Sequence, residues 1–259
     1  MSFNEANTVE QMILDTIGDR PGMRKVRARE SEPGESLGDK FAPERWSYVP
    51  WAEVPRQPGD VMVESWLREA LVRINPEIAV QPDRADEVIY NLRACLLSVQ
   101  SDGLVRANEN FTAWLRGEKT MPFGPNGEHV PVRLVDHDHA NNLFVVTNQW
   151  SFQAGQITKR FDVVFVVNGL PVVIGEAKTP TRSAVTWFDG AYQVNEIYEK
   201  QVPAMFVPNV FSFETEGKLF RYGSIRMPID MWGPWRDEEN QAEGQLVHVE
   251  ASVAIRQYY

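Results

Sequence analysis

One cysteine stands in a chain of 259 residues, so no disulfide can form within it. That Cys95 lies in VIYNLRACLL, a helical pattern in which a buried, inert thiol is expected. Long apolar runs are missing too: no stretch approaches the ~18 residues of a membrane span, and the opening MSFNEANTVEQMILDTIG has no basic region ahead of an apolar one. These absences lead us to expect a cytoplasmic chain with no membrane partner. Positive charge is in deficit, 26 Lys and Arg against 36 Asp and Glu, for a net charge of −10. That balance argues against broad, nonspecific adhesion to nucleic acid, although a local basic patch could still hold a phosphate backbone. No G-x-x-x-x-G-K-[ST] phosphate loop, internal repeat or low-complexity tract is present. What the chain has in quantity is core material, with 43% hydrophobic and 11% aromatic residues.

Residues 8–17 (TVEQMILDTI) read as a short amphipathic helix closed by Gly18. From 18 to 60 the chain is rich in Pro, Gly and charge, so mostly irregular structure is expected, with one short strand at Met23–Ala28. The run Arg24, Lys25, Arg27, Arg29 is a solvated face or, less economically, a phosphate contact. In VMVESWLREALVRINP, Val63, Trp66, Leu67, Ala70, Leu71 and Ile74 recur at helical spacing, and Pro76 ends the helix. Further helices are expected at 83–98, 106–116 and 184–200, two strands between 129 and 155, and hairpins over 160–178 and FVPNVFSFETEGKLFRYGS. The chain divides into an N-terminal helix and irregular arm packed on the core (1–60), the core itself (61–225) and a peripheral extension (226–259).

The stretch RFDVVFVVNGLPVVIGEAKTP, residues 160–180, is apolar enough for a protein interior yet carries Asp162, Glu176 and Lys178. Asn168-Gly169 is a strong turn signal, so Asp162–Val167 and Val172–Lys178 are antiparallel partners, and folding the hairpin brings all three charges to one edge. Apolar residues on both faces mark these as central strands. Register then decides the chemistry. A plain two-residue loop puts Asp162 and Glu176 on opposite faces, whereas an odd loop such as 168–170, or a bulge, sets them opposite each other on one face. A site here therefore predicts an odd loop or a bulge. Period two places Lys178 on the face of Glu176 and turns Ala177 away, leaving its carbonyl near the edge.

Two carboxylates a few ångström apart at the end of buried strands repel unless a cation neutralises them. Oxygen ligands from Asp162, Glu176 and the Ala177 carbonyl suit Mg²⁺, which keeps several waters and accepts phosphate oxygens. Such an ion serves phosphodiester cleavage, and Lys178 would orient the attacking water or neutralise transition-state charge. The plain alternative is a structural Glu–Lys or Asp–Lys pair at a strand end.

The spacing resembles that of the PD-(D/E)xK nuclease superfamily. KRFDVVFVVNGLPVVIGEAKTP, more specifically, resembles the catalytic hairpin of the restriction subunit of type I restriction-modification enzymes, as do VMVESWLREALVRINPEI, NNLFVVTNQW and AYQVNEIYEKQVPAMFVPNVFSF. The resemblance runs from about residue 60 to 225, more weakly at the N-terminal helix. It implies an α/β (α+β) restriction-endonuclease-like fold, a central mixed sheet flanked by helices, in which 61–225 is a nuclease core. It assigns Asp162 and Glu176 to Mg²⁺ and Lys178 to catalysis, with double-stranded DNA as substrate and methyltransferase and specificity subunits as partners. ATP belongs to the family's motor, whose phosphate loop is not among these residues, so the chain is expected to be an excised or truncated piece.

Two departures stand out. Phe161 replaces the Pro the family commonly shows before the Asp, at a backbone position without chemistry. The family tends to carry a Gln four residues before a Tyr on the following helix; here Val194 holds that position and Gln193 lies five before Tyr198. At ~100° per residue Gln193 shares the face of Tyr198 poorly unless the helix is distorted. Glu64 is a further candidate acid from the helix preceding the sheet. Lys159, Arg160 and Arg182 flank the edge and could contact phosphates. Asp136-His137-Asp138-His139 is metal-rich in composition but lacks a third ligand at useful spacing. Two other functions remain open: a docking module for a motor or methyltransferase, and a stand-alone repair or resolving nuclease.

Overall fold

The structure, a computed structural model, describes Glu10, Ile13, Leu14 and residues 46–178, 187–216 and 219–234. The short strand expected at Met23–Ala28, the basic run Arg24, Lys25, Arg27 and Arg29 that overlaps it, and Arg182 lie outside these residues. Strands β1 (Ser47–Tyr48), β4 (Phe144–Ala154), β5 (Ile157–Val167), β6 (Leu170–Ala177), β7 (Phe211–Thr215), β8 (Phe220–Gly223) and β9 (Gly233–Pro234) form one seven-stranded sheet in that order. Strands β2 (Thr120–Met121) and β3 (Val130–Pro131) pair separately. The large sheet is mixed: β1 runs parallel to β4 and β6 to β7, and the other neighbours are antiparallel. Mixed character has a simple origin, because the β6 to β7 connection is a helical crossover and a crossover returns a strand parallel.

Helices α1 (Glu64–Ile74), α2 (Pro76–Val80), α3 (Arg84–Leu97), α4 (Val99–Asp102) and α5 (Leu104–Leu115) precede β2, and the crossover comprises α6 (Trp187–Tyr192), a π-helix (Gln193–Tyr198) and α7 (Glu199–Gln201). Leu67, Ala70, Leu71 and Ile74 form the buried stripe of α1 at the expected spacing. That helix stops at Ile74, ahead of Asn75 and Pro76, whose side-chain amide donates to the Leu71 carbonyl at 3.0 Å in the case of Asn75. A helix-flanked mixed sheet of this kind is the α/β architecture the sequence led us to expect.

Two apolar clusters cover the two faces of the sheet. One joins the helices to Val164, Val166, Leu170 and Ile174; the other packs Ile13, Leu14 and Trp46 against Val146, Val163, Phe165 and Phe213. Glu10, Ile13 and Leu14 are helical and buried, and Ile13 and Leu14 help to close the second face. At the far edge, β9 pairs with β8, and Trp232 is buried above Gly223. The sheet thus continues past residue 225 to Pro234.

Candidate active site

The hairpin of β5 and β6 turns on Asn168 and Gly169, both with positive φ (50° and 86°), the primed turn that matches strand twist. Val167 pairs with Leu170 and Val166 with Pro171, so the loop has two residues. Beyond it the register shifts: Phe165 pairs with Val173, Val164 with Ile174 and Val163 with Gly175. A bulge therefore inserts Val172, and one step further Asp162 faces Glu176. Of the two devices the sequence allowed, an odd loop or a bulge, the chain uses the bulge.

All three charges are buried, with Glu176 only 2% exposed. Asp162 Oδ2 accepts the Ala177 backbone N–H at 3.0 Å, and Lys178 Nζ donates to Glu176 Oε1 at 2.6 Å and to Gln193 Oε1 at 2.7 Å. Glu176 Oε2 is buried without a hydrogen-bond partner. Burial first, and then the adjacent Asp162, hold the Glu176 carboxyl well above the ordinary carboxylate range.

Gln193 reaches Lys178 because the crossover helix is distorted. Residues Gln193–Tyr198 are π-helical, and i to i+5 spacing stacks Gln193 above Tyr198, whose hydroxyl accepts from the Gln193 amide. The Tyr198 hydroxyl in turn donates to the Arg160 carbonyl at 3.3 Å. Its ring lies 5.8 Å from Lys159 Nζ and packs edge-on to Phe161. Arg160 is exposed beside the edge. One extra residue is thus absorbed in the backbone, and both side chains arrive at the centre.

Glu64 does not come to this edge. It forms an ion pair with Arg93, Nε to Oε1 at 2.6 Å, and the start of its helix packs on Gly169 at the opposite end of the hairpin. The acid delivered by a helix is instead Glu10, which is 1% exposed. The Gln149 amide donates to Glu10 Oε1 at 2.6 Å and reaches Asp162 Oδ1 at 3.5 Å. Burial and the nearby Asp162 raise Glu10 to about 7. A signal for Glu10 existed: it lies three and four residues before Ile13 and Leu14, an acid on the apolar stripe of its helix.

Gln149 had no such signal. It sits at φ 54° opposite Asp162, where the β4–β5 ladder passes from Asn148–Val163 to Trp150–Phe161 and leaves the Gln149–Asp162 pair out. Phe161 and Val164, an odd and an even position, then join the same apolar cluster, so the alternation resets at Asp162. A non-glycine residue held in the left-handed region is strained, and strain of this kind concentrates at functional sites. On the other flank of β6, Glu176 pairs in register with Glu214, which burial raises to about 9.

The Asp136–His139 segment is a closed loop. Asp136 and Asp138 accept the backbone N–H groups of Asp138 and Ala140, both at 3.1 Å. His137 and His139 line a mainly apolar cavity of about 350 Å³ with Trp46, Phe144 and Val210. That cavity borders Val167 and Val172 toward the turn, away from the charged edge. Among the described residues no three His, Cys, Asp or Glu side chains are gathered as a metal cluster, and no helix is long and apolar enough to cross a membrane.

Residues 38–228 match the family model for the type I restriction enzyme R protein N terminus. The chain is 33% identical over 190 residues to the type I restriction enzyme HindI endonuclease subunit of Haemophilus influenzae, covering 71% of this chain and 17% of that protein. It is 23% identical over 197 residues to a protein of Methanocaldococcus jannaschii assigned as the type I restriction enzyme MjaIXP endonuclease subunit, covering 74% and 18%. The chain therefore spans less than a fifth of the length of the curated relatives it matches.

Proposed function

Because the chain belongs to the family of type I restriction enzyme R protein N termini, we propose that the edge formed by Asp162, Glu176 and Lys178 is a Mg²⁺-dependent nuclease centre that cuts double-stranded DNA. The observation that carries the reading is the bulge at Val172, which spends a register shift to set two buried carboxylates face to face. The donor set fits a hard divalent ion: two carboxylates, the Ala177 carbonyl, and in Glu176 Oε2 a buried oxygen with no hydrogen-bond partner. Bound there, Mg²⁺ would offset the repulsion, polarise a phosphoryl group and lower the pKa of a coordinated water.

The protein groups have separable tasks. Asp162 and Glu176 would hold the ion, and the hydrogen bond from the Ala177 N–H fixes the Asp162 carboxylate. Lys178, fixed by Glu176 and Gln193, places one positive charge where a pentacovalent phosphate gathers negative charge, and its ammonium orients the attacking water. Gln193 and Tyr198 act through Lys178, and Gln149 and Glu10 act through Asp162, as positioning residues. Lys159 and Arg160 flank the edge as phosphate contacts, supplying locally the charge that the chain lacks as a whole. The centre works within a type I restriction-modification assembly, in which specificity and methyltransferase subunits choose the DNA and an ATP-driven motor delivers it.

Titration calorimetry of Mn²⁺ into the chain and into Asp162→Ala, with plasmid cleavage on the same samples, tests this. Binding to the wild type and its loss in a folded Asp162→Ala variant are expected, with cleavage in the reconstituted assembly falling at least about a thousandfold. Equal binding in both proteins would favour a docking role with structural charges.

A further inference from the structure

Strands β4 and β5 run on past the charged edge. Their ladder continues through Trp150–Phe161, Ser151–Arg160, Phe152–Lys159, Gln153–Thr158 and Ala154–Ile157 to a turn at Gly155 and Gln156. Strands β1 and β6 pair with β4 and β5 only on the other side of Gln149 and Asp162. A two-stranded ribbon therefore projects beyond the centre, and at ~3.4 Å per residue its tip stands roughly 17 Å from Asp162.

The two faces of this ribbon differ. Trp150, Phe152 and Phe161 belong to the core, the Arg56 guanidinium lies 3.8 Å from the Trp150 ring centroid, and the Gln153 N–H donates to the Pro58 carbonyl at 2.8 Å. One face and the β4 edge are thereby held rigid. On the other face stand Ser151, Gln153, Thr158 and Arg160, the last three exposed, with Gln156 exposed at the turn. Each of these side chains donates hydrogen bonds and none is acidic. From His139 to Phe161 the chain has no Asp or Glu, in a protein that contains 36 of them.

We propose that the β4–β5 ribbon is an arm that lies in the major groove of duplex DNA beside the cut. This rests on the reading of the adjoining edge as a nuclease centre, from which the surface is continuous: Arg160 lies two residues before Asp162. Two strands ~4.8 Å apart, with their side chains, fill a major groove ~12 Å wide and are too broad for a minor groove of ~6 Å. Lys159 and Arg160, on opposite faces of β5, reach toward the phosphate strands that border the groove. Gln153, Gln156 and Thr158 both donate and accept, as the base edges in that groove require. At ~3.4 Å per base pair, the tip touches DNA about five base pairs to one side of the cut.

Fluorescence anisotropy of the chain with a labelled duplex of about 30 base pairs, in Ca²⁺ to keep the DNA uncut, tests the arm. The double variant Gln156→Glu/Thr158→Glu is expected to bind at least about tenfold more weakly, and Gln81→Glu, an exposed residue after α2, less than about twofold more weakly. Wild-type affinity should also fall on a duplex whose cytosines carry bulky 5-glucosyl-hydroxymethyl groups in the major groove, and should hold when netropsin occupies the minor groove. Equal losses in the ribbon variant and Gln81→Glu, a loss with netropsin alone, or no binding by the wild type overturns the proposal, and the groove tests need no variant. Mn²⁺ calorimetry on the same samples separates the two readings. Ion binding without a ribbon effect removes the arm and leaves the nuclease centre, whereas a ribbon effect without ion binding keeps the arm and removes the centre.

Discussion

The two ends of the β5–β6 hairpin are built from similar residues and treated in opposite ways. At the turn, the buried Asn168 amide is fully used: Oδ1 accepts the Leu143 N–H at 2.8 Å, and Nδ2 donates to the Leu134 carbonyl at 2.9 Å and to Asn142 Oδ1 at 2.8 Å. At the open end, Glu176 Oε2 and both oxygens of Glu214 have no hydrogen-bond partner, and Gln149 is held in a left-handed conformation. Buried polar groups stabilise when satisfied and cost free energy when not. One end of the hairpin therefore anchors the fold, and the other keeps buried carboxylate oxygens without hydrogen-bond partners.

The largest effect should come from attacking the anchor. Gly169→Ala places a Cβ against the Val63 carbonyl at a φ that favours glycine, and a loss of about 4 kcal/mol is expected by urea unfolding. Mn²⁺ affinity of the fraction still folded should not change, since the proposed ligands lie at the other end; a parallel loss of affinity would show that the ends are not separable.

A buried acid away from both ends calibrates the contrast. Glu199 is fully buried, accepts the Arg226 N–H at 2.9 Å, and is raised from 4.5 to about 7 by burial. The folded state binds this proton more tightly than the unfolded one, so its stabilising contribution is present below about pH 4.5 and is lost as pH rises to about 7. Glu199→Gln keeps an acceptor and does not titrate. It should match the wild type near pH 4 and exceed it by up to about 3 kcal/mol at pH 8, measured as the pH dependence of urea midpoints. Equal slopes would mean that Arg226 already cancels the burial.

The smallest effect is a gain at the open end. Glu176→Gln leaves Lys178 an acceptor and removes the repulsion with Asp162, so the metal-free protein should gain about 1 to 2 kcal/mol while its affinity for Mn²⁺ falls. A destabilised metal-free variant would place Glu176 among the anchors.

The sequence made the hairpin legible because Asn-Gly turns, β-branched runs and two acids at a fixed spacing are local signals. It also narrowed the register, since a site required an odd loop or a bulge, and the Pro171 and Val172 pair gave no further clue to which. Asp162, Glu176 and Lys178 were brought together as that reading required, and Gln193 joined them through the helix distortion it had been made to depend on. Glu64, the acid the sequence offered from the helix preceding the sheet, does not reach the edge for a physical reason. Which helix end meets which end of a strand is decided by packing across the sheet, and α1 packs on the turn. Gln149 was out of reach because its place beside Asp162 rests on contacts with Glu10 and Asp162 and not on a local pattern.

The π-helical turn carries a lesson about alignment and about engineering. A motif search that demands Gln and Tyr four residues apart would score this segment as having lost the pair, when the extra residue has been taken up as a single widened turn between two ordinary helical stretches. Spacing in sequence and position in space are exchangeable at such a turn. A one-residue deletion within 193–198 that relaxes it to an α-helix would restore the commoner spacing, so a deletion between Gln193 and Tyr198 should be better tolerated than substitution of either side chain.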